Sequence, residues 1–222
     1  MKNLQDSVEE RWTFNSFAQM DGVIKVPENP SQIILLLHGY DERGKRIFRK
    51  LIPYLPENAL VIAPNGPFPL PRPKEDRLDF GFAWYFYDRF KKDYYINHDL
   101  PKNWLTQILK QKNPHHLPVT IIGFSQGGYL APLVGLEIPE TRLVIGIGCE
   151  FRSSLIESKF TFPLEGIHGK QDSIIQFEWA ENEIKKLQQR GINSNLSLVD
   201  AGHEINKNAG EKVKEILEKY GK

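Results

Sequence analysis

The chain has 222 residues with Lys+Arg 29 against Asp+Glu 28, and a formal net charge of +1 supplies no electrostatic reason to expect nucleic acid or an anionic membrane as partner. Cys149 is the only cysteine, which excludes an internal disulfide, and it sits in an apolar run where a free thiol packs as a small hydrophobe. With a polar amino terminus and no run of about 18 apolar residues, the expectation is a cytoplasmic protein without integral membrane association, folded as one domain over 1–222 and acting on a small molecule.

In chain order, Trp12, Phe14, Phe17, Val23, Ile24 and Val26 alternate loosely about Asp21-Gly22 and predict a leading antiparallel hairpin over 11–26. Apolar runs at 32–37, 59–63, 119–124, 143–147 and 196–199, with a weaker one at 162–167, read as strands buried on both faces. Between them, helical spacing recurs: Ile47, Phe48, Leu51 and Ile52; Leu105, Ile108 and Leu109; Phe177, Ala180, Ile184 and Leu187; Val213, Ile216, Leu217 and Tyr220. Buried strands joined by helical crossovers specify the α/β class, a mostly parallel central sheet with helices on both faces. Ligands in such sheets bind at the carboxyl ends of the strands. One segment stands apart: 65–95 combines four prolines (Pro67, Pro69, Pro71, Pro73) with ten aromatics and is expected to form a long connection over the sheet edge.

The chemistry is announced at Gly123-Phe124-Ser125-Gln126-Gly127, which follows one apolar run and opens a helical stretch. This is G-x-S-x-G in a strand-to-helix context, where the serine occupies a strained turn and flanking glycines let strand and helix approach. The helix start aims free N–H groups and its positive end at the same point, which suits an anionic tetrahedral intermediate; the Gln126 N–H is the first oxyanion donor. A serine hydroxyl needs a base, and in this context the order is Ser, acid, His. Only His168 and His203 follow Ser125, and His203 stands in Ala201-Gly202-His203-Glu204 directly after a strand, so it is the expected base and His168 a structural residue. Asp172 closes His168-Gly169-Lys170-Gln171-Asp172 after another strand and is the expected orienter of the imidazole, with Glu150 the alternative and Asp200 a turn residue. His38-Gly39-Tyr40 ends an early strand, which makes the Tyr40 N–H the second oxyanion donor and His38 a residue that holds the loop by hydrogen bonding.

The remaining histidines, His98, His115 and His116, lie in polar stretches without carboxylate or cysteine at ligand spacing, so they are expected in solvent and no metal is expected. In the long connection, Phe82, Trp84 and Tyr85 are candidates for an apolar substrate wall. Arg72, Arg77, Arg89, Lys91 and Lys92 alternate with Glu75, Asp76, Asp79 and Asp88, a pattern that reads as a solvated mixed-charge surface rather than an anion site.

Together, His38-Gly39-Tyr40-Asp41, Gly123-Phe124-Ser125-Gln126-Gly127-Gly128, His168-Gly169-Lys170-Gln171-Asp172 and Gly202-His203-Glu204-Ile205 resemble the phospholipase/carboxylesterase family that includes acyl-protein thioesterases. The resemblance runs from about residue 32 to the end. It implies an α/β-hydrolase fold without a large lid domain, no cofactor, and action on carboxylic esters, lysophospholipids or acyl thioesters through an acyl-serine intermediate. By motif matching, Ser125, Asp172 and His203 take the catalytic roles and Tyr40 with Gln126 the oxyanion roles. The familiar loop of that family reads His-Gly-x-Gly-Asp, whereas Asp41 here directly follows Tyr40. The competing expectation is a non-catalytic small-ligand-binding protein on the same fold, since fold does not fix function. Oligomeric state is left open.

Overall fold

A computed structural model describes residues 20–88, 90–156 and 161–221. The apolar runs become strands β1 (Gly22–Lys25), β2 (Gln32–Leu37) and β3 (Ala59–Pro64), then, after the aromatic segment, the strands Val119–Phe124, Thr141–Ile147, Leu164–Gly169 and Ser194–Val199. The aromatic segment itself supplies β4 (Phe68–Pro73), β5 (Leu78–Ala83), β6 (Phe86–Asp88) and β7 (Asp93–Ile96), so the four later strands are β8 to β11 in that order. The helices are α1 (Gly44–Leu51), α2 (Asp99–Lys112), α3 (Gln126–Gly135), α4 (Phe177–Gln189) and α5 (Lys207–Tyr220).

Seven strands form one sheet in the order β1-β3-β2-β8-β9-β10-β11, in which β1 alone runs antiparallel to its neighbour. Because successive strand residues face opposite sides, each apolar run feeds two cores. Ile33, Leu35 and Leu37 pack with Leu105 and Leu109 of α2, Leu130 and Val134 of α3, and Ile184 and Leu187 of α4. Ile34 and Leu36 pack on the other face with Ile47 and Leu51 of α1 and Val213 and Ile216 of α5. This two-sided burial is why the runs read as continuous rather than alternating.

One expectation lies mostly outside the described residues, and another needs correction. The hairpin expected over 11–26 is described only from residue 20 onwards; there, β1 pairs with β3 at the sheet edge, Val23 opposite Ala63, and the rest of that expectation lies outside the described residues. The segment 65–95 is not a loop: it folds into two hairpins, β4 with β5 and β6 with β7. Pro69, Pro71 and Pro73 fall on alternate positions of β4, all exposed, in a two-stranded ribbon where every second N–H points away from the partner and is not needed. Among the described residues there is no large lid, only these hairpins beside the carboxyl ends of β2 and β8.

Candidate active site

Four strands of the parallel sheet deliver one residue or loop each to the same edge. β8 ends at Phe124, and Ser125 caps the N-terminus of α3 with φ 48° and ψ −117°, a left-handed region that L residues rarely occupy. Such a turn demands close approach on both sides. A Cβ on Gly123 would stand 2.2 Å from the Gly127 carbonyl oxygen, and one on Gly127 would stand 2.3 Å from that of Leu37. The strained turn lifts the Ser125 hydroxyl out of the sheet.

His203, four residues past the end of β11, brings its Nε2 to 3.0 Å from Ser125 Oγ. On the other side of the ring, Nδ1 lies 2.7 Å from Asp172 Oδ2, in the loop after β10. Asp172 is held by more than the imidazole, since its Oδ1 accepts from the N–H groups of Ile174 and Ile175, each at 2.9 Å. Burial alone would raise the Asp172 carboxyl, but the Ile175 N–H, the His203 hydrogen bond and the Ile174 N–H together hold it below the ordinary aspartate value. An ionised carboxylate accepts only, so Nδ1 carries the proton and Nε2 presents a lone pair to the serine hydroxyl.

The other candidates sort by what their side chains touch. His168 is fully buried, donates to the Ile175 carbonyl at 2.8 Å, and lies 3.7 Å from Asp172. Glu150, the alternative acid, faces Arg152 at 3.7 Å rather than His203. Asp200 accepts from Gln171, while its carbonyl ties down Asn206 and Asn208. His38 is fully buried, with Nδ1 donating to the Gly39 carbonyl at 2.7 Å and Nε2 accepting from Gly66 at 2.8 Å; burial, offset in part by that Gly39 bond, lowers its pKa to about 4. It is a neutral brace for the loop that carries Tyr40. His115 and His116 are exposed, but His98 is not a solvent residue: it is half-buried against Tyr94 and Tyr85, at 4.5 and 5.4 Å between ring centroids. Arg72 and Arg43 are likewise engaged, on Asp41 and Asp79.

A cleft of about 630 Å³ opens over Ser125 and His203, lined also by Tyr40, Gln126, Tyr85, Tyr87, Tyr129 and Arg152. Of the aromatic wall expected from Phe82, Trp84 and Tyr85, only Tyr85 lines it. Trp84 is fully buried beneath, donating its indole N–H to the His38 carbonyl at 2.8 Å, and Phe82 is spent in β5, its N–H on the Glu42 carbonyl. A larger hollow of about 1310 Å³ lies at the opposite, amino-end edge of the sheet between Tyr54 and Lys219, and Ser125, Asp172 and His203 do not line it.

Comparison with known proteins follows this geometry. The phospholipase/carboxylesterase family matches residues 19–220. The chain belongs to that family. Membership makes it a hydrolase of the serine carboxylesterase/phospholipase type. A search of curated sequences returns no match. Among solved structures it is similar to esterase PE8, at 20% identity over 91% of this chain and 100% of that one with a TM-score of 0.73. It is also similar to acyl-protein thioesterase 2 of Zea mays, at 18% identity over 92% and 99% with a TM-score of 0.69. A carboxylesterase of Mesorhizobium loti matches at 17% identity over 86% and 90% with a TM-score of 0.66. At these identities the structures speak for the α/β-hydrolase fold.

Two features of this phospholipase/carboxylesterase site escaped the sequence. Where the family loop has its second glycine, Asp41 adopts φ 58°, a left-handed conformation that Asp tolerates better than most residues, and Arg72 Nε bridges both carboxylate oxygens at 2.9 and 3.0 Å. The Gln126 side chain, beyond its backbone, accepts from Trp84 N–H and donates to the Tyr85 carbonyl, both at 2.8 Å, which ties the aromatic hairpins to the turn that carries Ser125. The only sequence signal for the second was the presence of an amide at a position that any small residue would satisfy.

Proposed function

We propose that the chain cleaves carboxylic esters through a covalent acyl-Ser125 intermediate, with His203 as general base and then general acid, and Asp172 as the residue that orients and stabilises its imidazolium. The observation that carries this is the unbroken relay from Ser125 Oγ through His203 to Asp172, at 3.0 and 2.7 Å. Ser125 Oγ attacks the carbonyl carbon while its proton passes to Nε2, and the carbonyl oxygen becomes an oxyanion. The N–H of Gln126, first residue of α3 and so without an intrahelical acceptor, and the N–H of Tyr40 across the cleft are the proposed donors to it. Collapse of the intermediate expels the alkoxide, which takes the Nε2 proton and leaves as alcohol. Water then enters, gives a proton to His203, and releases the acid and the free serine. Tyr85 is the aromatic residue proposed to contact substrate.

The experiment is acid quench of the protein during turnover of p-nitrophenyl acetate, followed by peptide mass spectrometry. An acetylated peptide containing Ser125, absent in Ser125→Ala, is the expected result. Turnover that persists in Ser125→Ala would overturn the proposal. Replacing Asp172 by asparagine, which favours the wrong tautomer, lowers kcat by about three to four orders of magnitude with little change in KM; an effect under tenfold would remove Asp172 from the role.

A further inference from the structure

Arg152, in the turn after β9, lines the same cleft as Ser125 and His203, and its side chain is 30% exposed there. Its guanidinium sits over the ring of Tyr87 at 4.6 Å and that of Tyr129 at 5.2 Å, and its Nη1 donates to Tyr94 Oη at 3.2 Å. The rings hold the cation at the cleft wall through its charge, and the guanidinium brings five N–H donors to that position. Glu150 is 3.7 Å from Nε, beyond hydrogen-bond length, so the charge is balanced in part and most of its donors are without an acceptor among the described residues. The turn is rigid: Glu183 accepts from Ser153 N–H at 2.6 Å, and Arg190 donates to the carbonyls of Ser153 and Ile156. Ser125 caps α3 and Tyr129 lies one turn on, with its N–H on the Ser125 carbonyl, and the residue whose ring carries the guanidinium lines the same cleft as Ser125.

We infer that Arg152 reads a carboxylate on the substrate, and that the chain hydrolyses esters carrying that negative charge on either the acyl or the alcohol part. The inference rests on the proposed acyl-Ser125 mechanism and names its substrate class. A planar guanidinium held against aromatic rings can match a carboxylate in two-point geometry, which a neutral chain of equal length does not exploit.

Two pairs of esters separate the arms: monoethyl adipate against ethyl hexanoate for the acyl side, and acetoxybutanoate against butyl acetate for the alcohol side, followed by pH-stat. In at least one pair the anionic ester has the higher kcat/KM by about tenfold or more, the advantage of a charged hydrogen bond. That ratio drops to about one in Arg152→Met, stays above one in Arg152→Lys, and shrinks as salt is raised in the unmodified protein. Should Arg152→Met not fold, judged by loss of fluorophosphonate labelling, Arg152→Lys and the salt series decide. Ratios at or below one in both pairs, or a ratio that Arg152→Met leaves unchanged, overturn the inference while the neutral esters still turn over. Failure of all four esters together with absent labelling overturns instead the mechanism on which it rests.

Discussion

The Gln126 amide joins Trp84 N–H and the Tyr85 carbonyl to the first turn of α3, so Gln126→Leu strands two backbone groups where little water reaches. Each unsatisfied buried group costs about 1–3 kcal/mol, and urea unfolding of the leucine variant is expected to show a loss of roughly 2 kcal/mol or more. His38 makes a second prediction at this scale. Its pKa is about 4 in the folded protein against about 6.5 unfolded, so the unfolded chain takes up a proton first as pH falls. The stability due to a neutral His38 is therefore whole above about pH 6.5 and lost between there and pH 4, by roughly 3 kcal/mol at most. Urea midpoints at pH 7 and pH 4.5, compared between the protein and His38→Gln, check it: the variant should show the smaller fall. Ser125, Asp172 and His203 were legible as candidates because each stands just past a strand and in the required order. The Gln126 clamp, the Asp41–Arg72 pair and Arg152 were not, because they depend on partners such as Trp84, Asp41 and Tyr94, 42, 31 and 58 residues away, that no local pattern announces.

At the scale of elements, the strand-turn-helix around Ser125 is held by atoms rather than by propensity. Adding one methyl at Gly127 drives it into the Leu37 carbonyl, whose strand is pinned on both sides by β3 and β8. Gly127→Ala is expected to cost at least about 2 kcal/mol in urea unfolding, above the usual price of a core overpacking at a site free to relax. A loss under half that would mean that the turn relaxes more readily than its contacts imply. The six parallel strands were readable from hydrophobic runs within a few residues of their ends, since burial on both faces leaves no polar alternation to confuse the pattern. The four strands of segment 65–95 were hidden for the opposite reason. Prolines on alternate positions are the signature of a breaker in a central strand, and they are tolerated in β4 because it pairs on one side only.

Across the whole molecule, the last turn of α5, whose apolar face packs on the sheet, is also tied to the amino end of β10 by a buried carboxylate. Glu165 of β10 is 3% exposed, and its Oε1 accepts from Tyr220 Oη at 2.6 Å, Lys219 Nζ at 2.9 Å and Asn195 Nδ2 at 3.2 Å. Glu165→Leu removes the acceptor of Tyr220 Oη and Asn195 Nδ2, Lys219 remaining in solvent, and is expected to destabilise the fold by about 1–3 kcal/mol. Both core faces share the one seven-stranded sheet, so the loss should appear as one cooperative transition. The central claim, that Ser125 is the nucleophile activated by His203, is tested most directly by stoichiometric labelling with a fluorophosphonate. One adduct per chain is expected, mapped to the peptide containing Ser125, abolished in Ser125→Ala and slowed by orders of magnitude in His203→Ala. An adduct on any other residue, or labelling at an undiminished rate without His203, would contradict it.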